Sequence, residues 1–287
     1  MVNKKVVILQ RKRHISVRIK EVLSALEQFA PLPLQESWDN AGLQIGLTEA
    51  EVSGALLCLD VNEKIVDEAL QKGCNLIVSH HPLLFRGLKQ IAGSNDVQRT
   101  VMKAIKNDIC VVSMHTNLDN ARGGVNFKIA EHLGLKNVHF GVDEGKACVT
   151  VEGVNEEGSN AGSWVMGELT EPMAADDFVL YVKRCMEAES AMCNELLRRP
   201  IRKVAICGGA GDFLLDDAVR AGADAFITGE MHYHVYFGHE QQIQICVIGH
   251  YESEHFTTEL FRDVIAEACP LVRTMIAETN TNPINYY

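Results

Sequence analysis

The chain has 287 residues, of which 47% are hydrophobic, and its formal net charge is −11 at pH 7. This length exceeds that of one typical domain and allows one large core or two smaller ones, and we expect two modest subdomains. The excess of acidic groups excludes a broad nucleic-acid-binding face, because the summed charge would repel a phosphate backbone. We therefore do not expect nucleic acid as a primary partner.

The elements predicted in the first half follow the hydrophobic periodicity. In chain order they are a helix over 17–29, a strand over 54–59, a helix over 63–72, a strand over 75–79, a helix over 96–107, a strand over 109–114 and a helix over 125–133. Alternation of helices with strands that are nearly continuous apolar runs predicts a parallel sheet covered on both faces. We assign this first α/β subdomain to residues 17–145.

The second half begins less regularly, because glycines interrupt its short apolar segments before a helix predicted over 175–197. The later elements are a strand over 203–207, a helix over 213–221, strands over 225–228 and 243–248, and a helix over 252–268. We assign a second α/β subdomain to residues 146–287. The predicted fold class is α/β, with two similar three-layer α/β/α subdomains and mostly parallel sheets.

The cysteines and the N-terminal segment indicate the cellular compartment of the protein. The nine cysteines form no C-x-x-C pair and stand mostly in apolar runs, which is typical of buried free thiols in a reducing compartment. No apolar stretch approaches the roughly 20 residues of a membrane-spanning helix, so we expect a soluble, cytoplasmic protein without a membrane partner. Residues 1–16 are basic and predicted to be a flexible tail, although a mitochondrial or nuclear location stays open on their account.

Polar residues that directly follow the apolar runs are candidates for a site, because ligands of open parallel sheets bind beyond the carboxyl ends of the strands. Four such ends stand out, at residues 79–82 (Ser-His-His-Pro), 115–119 (His-Thr-Asn-Leu-Asp), 228–230 (Thr-Gly-Glu) and 249–254 (Gly-His-Tyr-Glu-Ser-Glu). His80 and His81 are adjacent, and successive side chains of a strand point to opposite faces. The pair therefore suits two metals better than one, although a lone His-His pair is more often structural.

His250 and Glu254 have i, i+4 spacing where a strand gives way to a helix, so an imidazole and a carboxylate share one helical face. Alone, this spacing is explained equally by an exposed polar turn. Asp119 adds a carboxylate that could bridge two cations, as could Glu254. Three imidazoles and two carboxylates suit borderline divalent metals such as zinc, manganese, iron or cobalt. The residue types alone leave open whether these segments meet in space.

Five motifs together resemble the Nif-three-like family (NGG-one-interacting factor three), whose members are often named GTP cyclohydrolase I type 2 homologues. They are residues 37–44 (Ser-Trp-Asp-Asn-Ala-Gly-Leu-Gln) and the four strand ends named above, in the order of the family. The resemblance runs from about residue 17 to the end of the chain. It implies the Nif-three-like fold, in which two α/β subdomains surround a dinuclear metal cleft, and a toroidal homohexamer.

The resemblance can be carried over position by position. It implies five ligands for two divalent metal ions: His80, His81, Asp119, His250 and Glu254. These residues coincide with those isolated from the strand ends. The implied activity is hydrolysis of a small-molecule substrate, a phosphoester or a cyclic amidine, by a metal-activated water. Neither the substrate nor the metal is identified by the sequence.

Glu230 and His234 are our candidates for proton transfer or for support of the ligands, although a surface acid and a packing histidine explain them equally well. The alternative to an enzyme is a non-catalytic hexameric scaffold with structural metals and a protein partner, for example in transcription. A structural site is closed by protein ligands, whereas five ligands for two cations leave room for water. The ligand count therefore favours catalysis.

Two further features have competing interpretations. Trp38 is predicted to pack against the subdomain junction rather than to stack on a substrate. The glycine-rich turn at residues 207–211 could bring its backbone amides to a phosphate. A tight strand-to-helix connection is the favoured interpretation of this turn, because the complete dinucleotide-binding fingerprint is missing.

Overall fold

The computed structural model describes residues 16–141 and 161–287. Residues 1–15 of the predicted tail and the predicted boundary at residues 145 and 146 lie outside these ranges. None of the helices in the described part combines the length and the apolar character needed to cross a membrane.

Helices and strands alternate through much of the described chain. The helices are α1 (Ile19–Phe29), α2 (Glu63–Gln71), α3 (Asp96–Lys106), α4 (Thr116–Asp119), α5 (Val125–His132), α6 (Ala175–Cys185), α7 (Leu215–Arg220), α8 (His250–Glu254) and α9 (Thr257–Ala268). The strands are β1 (Gly42–Ile45), β2 (Ala55–Cys58), β3 (Leu76–Ser79), β4 (Cys110–Ser113), β5 (Lys136–Phe140), β6 (Val165–Met173), β7 (Met192–Cys193), β8 (Ile201–Ala210), β9 (Ala225–Glu230), β10 (Gln244–Val247) and β11 (Thr274–Ile276).

The first sheet has the strand order β1-β4-β3-β2-β11. Its strands are parallel except for β1, which pairs antiparallel with β4 at the edge. Leu57, Ile77 and Val111 of its central strands are fully buried, and each such side chain contributes about 1.5–3 kcal/mol of burial free energy. The prediction of a parallel sheet is confirmed for this half.

Helices α2 and α3 cover the outer face of the first sheet. Each begins at an asparagine cap: the side chain of Asn62 accepts hydrogen bonds from two backbone N–H groups of α2, and that of Asn95 accepts one from α3. The buried residues Ile65 and Ala69 recur at helical spacing and pack against the sheet. These caps and periodicities explain why the predicted helices over 63–72 and 96–107 are found nearly at their predicted bounds.

The second sheet has the order β5-β6-β8-β9-β10-β7, and only β8, β9 and β10 are parallel to one another. The pairings of β5 with β6, β6 with β8, and β10 with β7 are antiparallel. The expectation of a mostly parallel sheet is therefore wrong for this half. The apolar runs on which it was based form the parallel strands, whereas the glycine-interrupted stretch before residue 200 supplies antiparallel ones.

Two predicted helices are shorter or divided in the structure. The helix predicted over 175–197 ends at Cys185, because Glu187 adopts a left-handed conformation (φ 54°) and the following chain pairs with β10 as strand β7. The helix predicted over 252–268 is divided into α8 and α9. The strands that were not predicted are β1, β5, β6, β7 and β11.

One hydrophobic core joins the two sheets. Leu57 and Val78 of the first sheet and Val204 and Ile227 of the second belong to the same buried cluster, together with residues of α1, α5, α6 and α9. The chain returns to the first sheet at its end, where β11 pairs in parallel with β2. The segment assigned to the second subdomain thus contributes its last strand to the first sheet, and the carboxyl ends of both sheets face a common cleft.

Candidate metal centre

All five predicted ligands converge in this cleft. Strand β3 ends immediately before His80 and His81, α4 ends at Asp119, and α8 carries His250 and Glu254. One carboxylate oxygen of Glu254 lies 3.0 Å from Nε2 of His81 and 3.1 Å from Nε2 of His250. Nε2 of His80 lies 3.7 Å from both Asp119 and Glu254. Residues from three distant stretches therefore share one site.

Three groups of donor atoms in the described residues could each hold a metal ion: one consists of His80, His81 and His115, and the other two consist of predicted ligands alone. His81, His250 and Glu254 make one group, and His80, Asp119 and Glu254 make the other, with the donor atoms of each group within 4.8 Å of one another. Glu254 belongs to both. Gly209 permits this position of Glu254, because a Cβ atom at Gly209 would lie only 2.4 Å from the glutamate Oε1.

The buried side chain of His80 tests whether a cation fits the site. Its Nδ1–H donates a hydrogen bond of 2.9 Å to the carbonyl oxygen of Met114, which leaves the lone pair on Nε2. That Nε2 is buried and has no hydrogen-bond partner. Burial lowers the pKa of His80 to about 4, so the ring is neutral at pH 7. A neutral imidazole with an unsatisfied buried lone pair fits a metal ligand.

His81 and His250 are held in the same way by carboxylates. Nδ1 of His81 lies 2.8 Å from Asp60, Nδ1 of His250 lies 2.9 Å from Glu230, and the two Nε2 atoms are 3.3 Å apart. Burial acts to lower the pKa of both rings, but hydrogen bonds with carboxylates raise the pKa of His81 to about 10 and that of His250 to about 9. The carboxylates that stabilise a proton on each of these rings also stabilise a divalent cation in its place.

The two acidic ligands differ in their ionisation. Burial acts to raise the pKa of Glu254, but the surrounding histidines His80, His250 and His81 hold it well below its usual range. Burial and the nearby charge of Glu254 raise the pKa of Asp119. A cation between the two carboxylates would relieve this repulsion. The donor set is thus consistent with a divalent metal.

His115 is a member of the cluster that sequence reasoning did not select. Its ring centroid lies 5.3 Å from that of His80 and 5.5 Å from that of His81. Its Nδ1–H donates to Asp39 over 2.7 Å. Burial would raise the pKa of Asp39, but hydrogen bonds from His115 and Thr116 lower it to about 2. The available signal was the motif at 115–119, in which His115 stands four residues before Asp119.

The two predicted catalytic residues are placed differently. Glu230 ends β9 and accepts the hydrogen bond from His250, so it contacts a ligand directly. His234 lies on the surface in a 3-10 helix (Tyr233–Tyr236), where its ring packs beside Tyr233 and Phe237. It does not line the cavity over the ligands. The structure therefore brings Glu230, but not His234, to the cluster.

A cavity of about 770 Å³ opens onto the ligands and runs between the two halves of the chain. Trp38, Phe85 and Phe213 line its walls. Trp38 is 59% exposed, so the prediction that it packs against the subdomain junction is wrong. The cavity lies within the range of sizes that accommodate small molecules.

The glycine-rich turn at residues 207–211 forms another part of the cavity wall. Its amides are already engaged: Gly208 N–H donates to Asn126, Gly209 N–H to Ser253 and Gly211 N–H to Thr228. These hydrogen bonds connect β8 to its neighbours and agree with a tight strand-to-helix connection. They do not leave these three amides for a phosphate.

Two β-sheets flanked by helices direct imidazoles and carboxylates into one cleft. This arrangement defines an α/β protein with a candidate metal centre. The chain matches the family model Duf34/NIF3 (NGG1p interacting factor 3) over residues 17–283, and it belongs to this family.

Relatives of known sequence and structure agree with this assignment. A Clostridium perfringens protein named GTP cyclohydrolase 1 type 2 homolog is 34% identical over 83% of this chain and 87% of its own length. The Lactococcus lactis protein of the same name is 32% identical over 93% and 98%. The crystal structure of a Staphylococcus aureus hypothetical protein superimposes with a TM-score of 0.84 at 28% identity, covering 95% of this chain and 100% of that one. A Bacillus cereus protein related to NIF3 gives a TM-score of 0.82 at 26% identity, over 94% and 99%.

Proposed function

We propose that this chain is a metal-dependent hydrolase that holds two divalent cations, zinc, manganese, iron or cobalt, on His80, His81, Asp119, His250 and Glu254. The observation that carries the proposal is the convergence of these side chains, from both sheets, beside a cavity large enough for a small molecule. The unpartnered Nε2 of His80 and the carboxylates behind His81 and His250 support the assignment of the donors.

Divalent ions bound in such a site supply Lewis acidity and lower the pKa of water towards neutrality. The protein residues position the substrate and the proton. His115, oriented by Asp39 and exposed to the cavity, is our candidate for carrying a proton to or from the leaving group. Glu230 serves to orient the ring of His250. A phosphoester or a cyclohydrolase-type substrate suits this arrangement, and the second class is the one that the names of the bacterial relatives print.

We further propose a homohexamer, following the resemblance noted in the sequence. The alternative function is that of a non-catalytic scaffold that binds a protein partner, for which the family description as an interacting factor is the support. The two functions differ in turnover and not in metal content.

The test is metal analysis and turnover of the purified full chain. We expect about two metal ions per chain, as in two-metal hydrolytic sites, and metal-dependent turnover of at least one compound in a screen of phosphoesters and GTP. Asp119→Ala should lose metal and turnover together, whereas Asp263→Ala, at an exposed position of α9, should retain both. Full metal loading without turnover of any substrate would contradict the hydrolase and favour the scaffold.

A further inference from the structure

The walls of the cavity carry three exposed aromatic side chains. Trp38, Phe85 and Phe213 are 59%, 45% and 60% exposed, and all three face the same space. The rings of Trp38 and Phe85 meet edge to face, with their centroids 5.9 Å apart. Large apolar side chains grouped around a concave site mark a surface that a ligand covers.

The aromatic wall adjoins the metal-ligand cluster through His115. The ring centroid of His115 lies 6.1 Å from that of Trp38 and 6.2 Å from that of Phe85, and it lies 5.3 Å from that of His80 and 5.5 Å from that of His81. A molecule with its reacting group at the donors therefore has its next atoms against the two aromatic rings. A planar ring joined to a small reacting group fits this arrangement.

The charge of the cavity disfavours a polyphosphate. Among the described residues that line it there is no lysine or arginine, while Glu36, Asp119 and Glu254 supply carboxylates. Asp119 and Glu254 are assigned to the cations, but Glu36 faces the cavity without that role. The amides of Gly208, Gly209 and Gly211 in the glycine-rich turn are engaged within the protein. A triphosphate would thus lack the cationic side chains or amide cradle that normally bind it.

We propose that this site takes an aromatic monoester, in which a planar ring on the Trp38–Phe85 wall is joined to one small anionic group at the donors, and that it does not take a nucleoside triphosphate. The inference rests on the proposed function, because it assigns the anionic group to the metal ligands. For an aryl phosphate, hydrolysis breaks the P–O bond, the released phenol takes a proton from water, and the phosphate takes the hydroxyl group.

Tryptophan fluorescence measures binding without turnover. The sequence has two tryptophans: Trp38 is 59% exposed at the cavity, and Trp164 is fully buried. Saturable quenching by 4-nitrophenyl phosphate in the zinc-loaded full chain therefore reports on Trp38. We expect this quenching with 4-nitrophenyl phosphate but neither with glycerol 2-phosphate nor with GTP, and we expect Trp38→Phe to change its amplitude while metal content stays constant.

Alanine variants then test the wall. Phe85→Ala should weaken binding of 4-nitrophenyl phosphate about tenfold through loss of ring contact, with the zinc content unaffected. Phe213→Ala is the second variant, on the other side of the cavity, and Phe237→Ala is the control, because Phe237 is an equally exposed aromatic residue outside this cavity.

The outcomes separate this inference from the proposed function. Equal binding of aryl and glycerol phosphates, or tight binding of GTP, would overturn the aromatic-monoester site even if the chain is a hydrolase. Saturable binding of the aryl phosphate that Phe85→Ala weakens, without turnover, would support the site and contradict the hydrolase.

Discussion

The two sheets position their candidate metal ligands in different ways. On the side of the first sheet, His80 follows a parallel strand, is fully buried and is held by a backbone carbonyl. On the side of the second sheet, His250 and Glu254 both stand on the short helix α8, and the side chain of His250 is 32% exposed. The strand end fixes a donor through the main chain, whereas the helix fixes two donors through their spacing.

The carboxylates that orient the imidazoles of His81 and His250 also differ between the two sides. Asp60, behind His81, is 37% exposed, and it also accepts a hydrogen bond from Thr281. Glu230, behind His250, is 57% exposed. Solvent screens the second carboxylate more strongly, so the first-sheet side is the better preorganised half of the site.

Substitution of Glu254 should weaken metal binding on both sides of the site, because Glu254 contacts donors from both sides. We expect Glu254→Gln to weaken metal binding by at least about 100-fold, more than loss of an outer carboxylate does. Metal content and affinity, measured by chelator competition, check this, with Glu259→Gln on α9 as the matched control. Retention of one tightly bound ion would show that the two sides hold their cations independently.

Comparison of Asp60→Asn with Glu230→Gln measures how much each side of the site depends on its orienting carboxylate. Each removes the carboxylate that orients one imidazole, and such changes cost about 10–100-fold in metal affinity. We expect the loss near the upper end for Asp60→Asn and near the lower end for Glu230→Gln. Equal losses, measured by the same competition titration, would contradict the assignment of better preorganisation to the first-sheet side.

Metal binding should also depend on pH. In the metal-free chain the pKa values of His81, about 10, and His250, about 9, lie above the ordinary 6.5, so at pH 7 a cation must displace their protons. Affinity should therefore fall about tenfold per pH unit for each proton displaced as the pH is lowered. His80, with a pKa of about 4, adds no dependence near neutrality. An affinity that is constant across pH ~6–8 would contradict this account.

The sign for folding stability of the metal-free chain is the opposite. Because the folded-state pKa values of His81 and His250 are raised, their contacts with carboxylates stabilise the fold fully below pH ~6.5, the unfolded value. That contribution is lost as the pH rises through 9 and 10. Unfolding with and without metal therefore distinguishes the two effects.

Much of the candidate site was predictable because strand ends are local features. The apolar run before His80 and the i, i+4 spacing of His250 and Glu254 can be read directly, and parallel pairing brings such ends to one edge. The pairing of His115 with Asp39, 76 residues earlier, depends on a loop conformation that no local pattern encodes. The same holds for β11, whose three residues pair with a strand more than 200 positions away.

The return of the chain to the first sheet has a consequence for synthesis. Glu68 accepts the backbone N–H groups of Glu278 and Thr279, and the hydroxyl of Thr281 donates to Asp60, which holds His81. A ribosome adds about 5–20 residues per second, so the strands that precede His80 emerge well before these anchors. The nascent chain therefore presents His81 and Asp60 before Thr281 can anchor the carboxylate. Products that stop short of residue 274 lack the strand and the hydroxyl that complete this support.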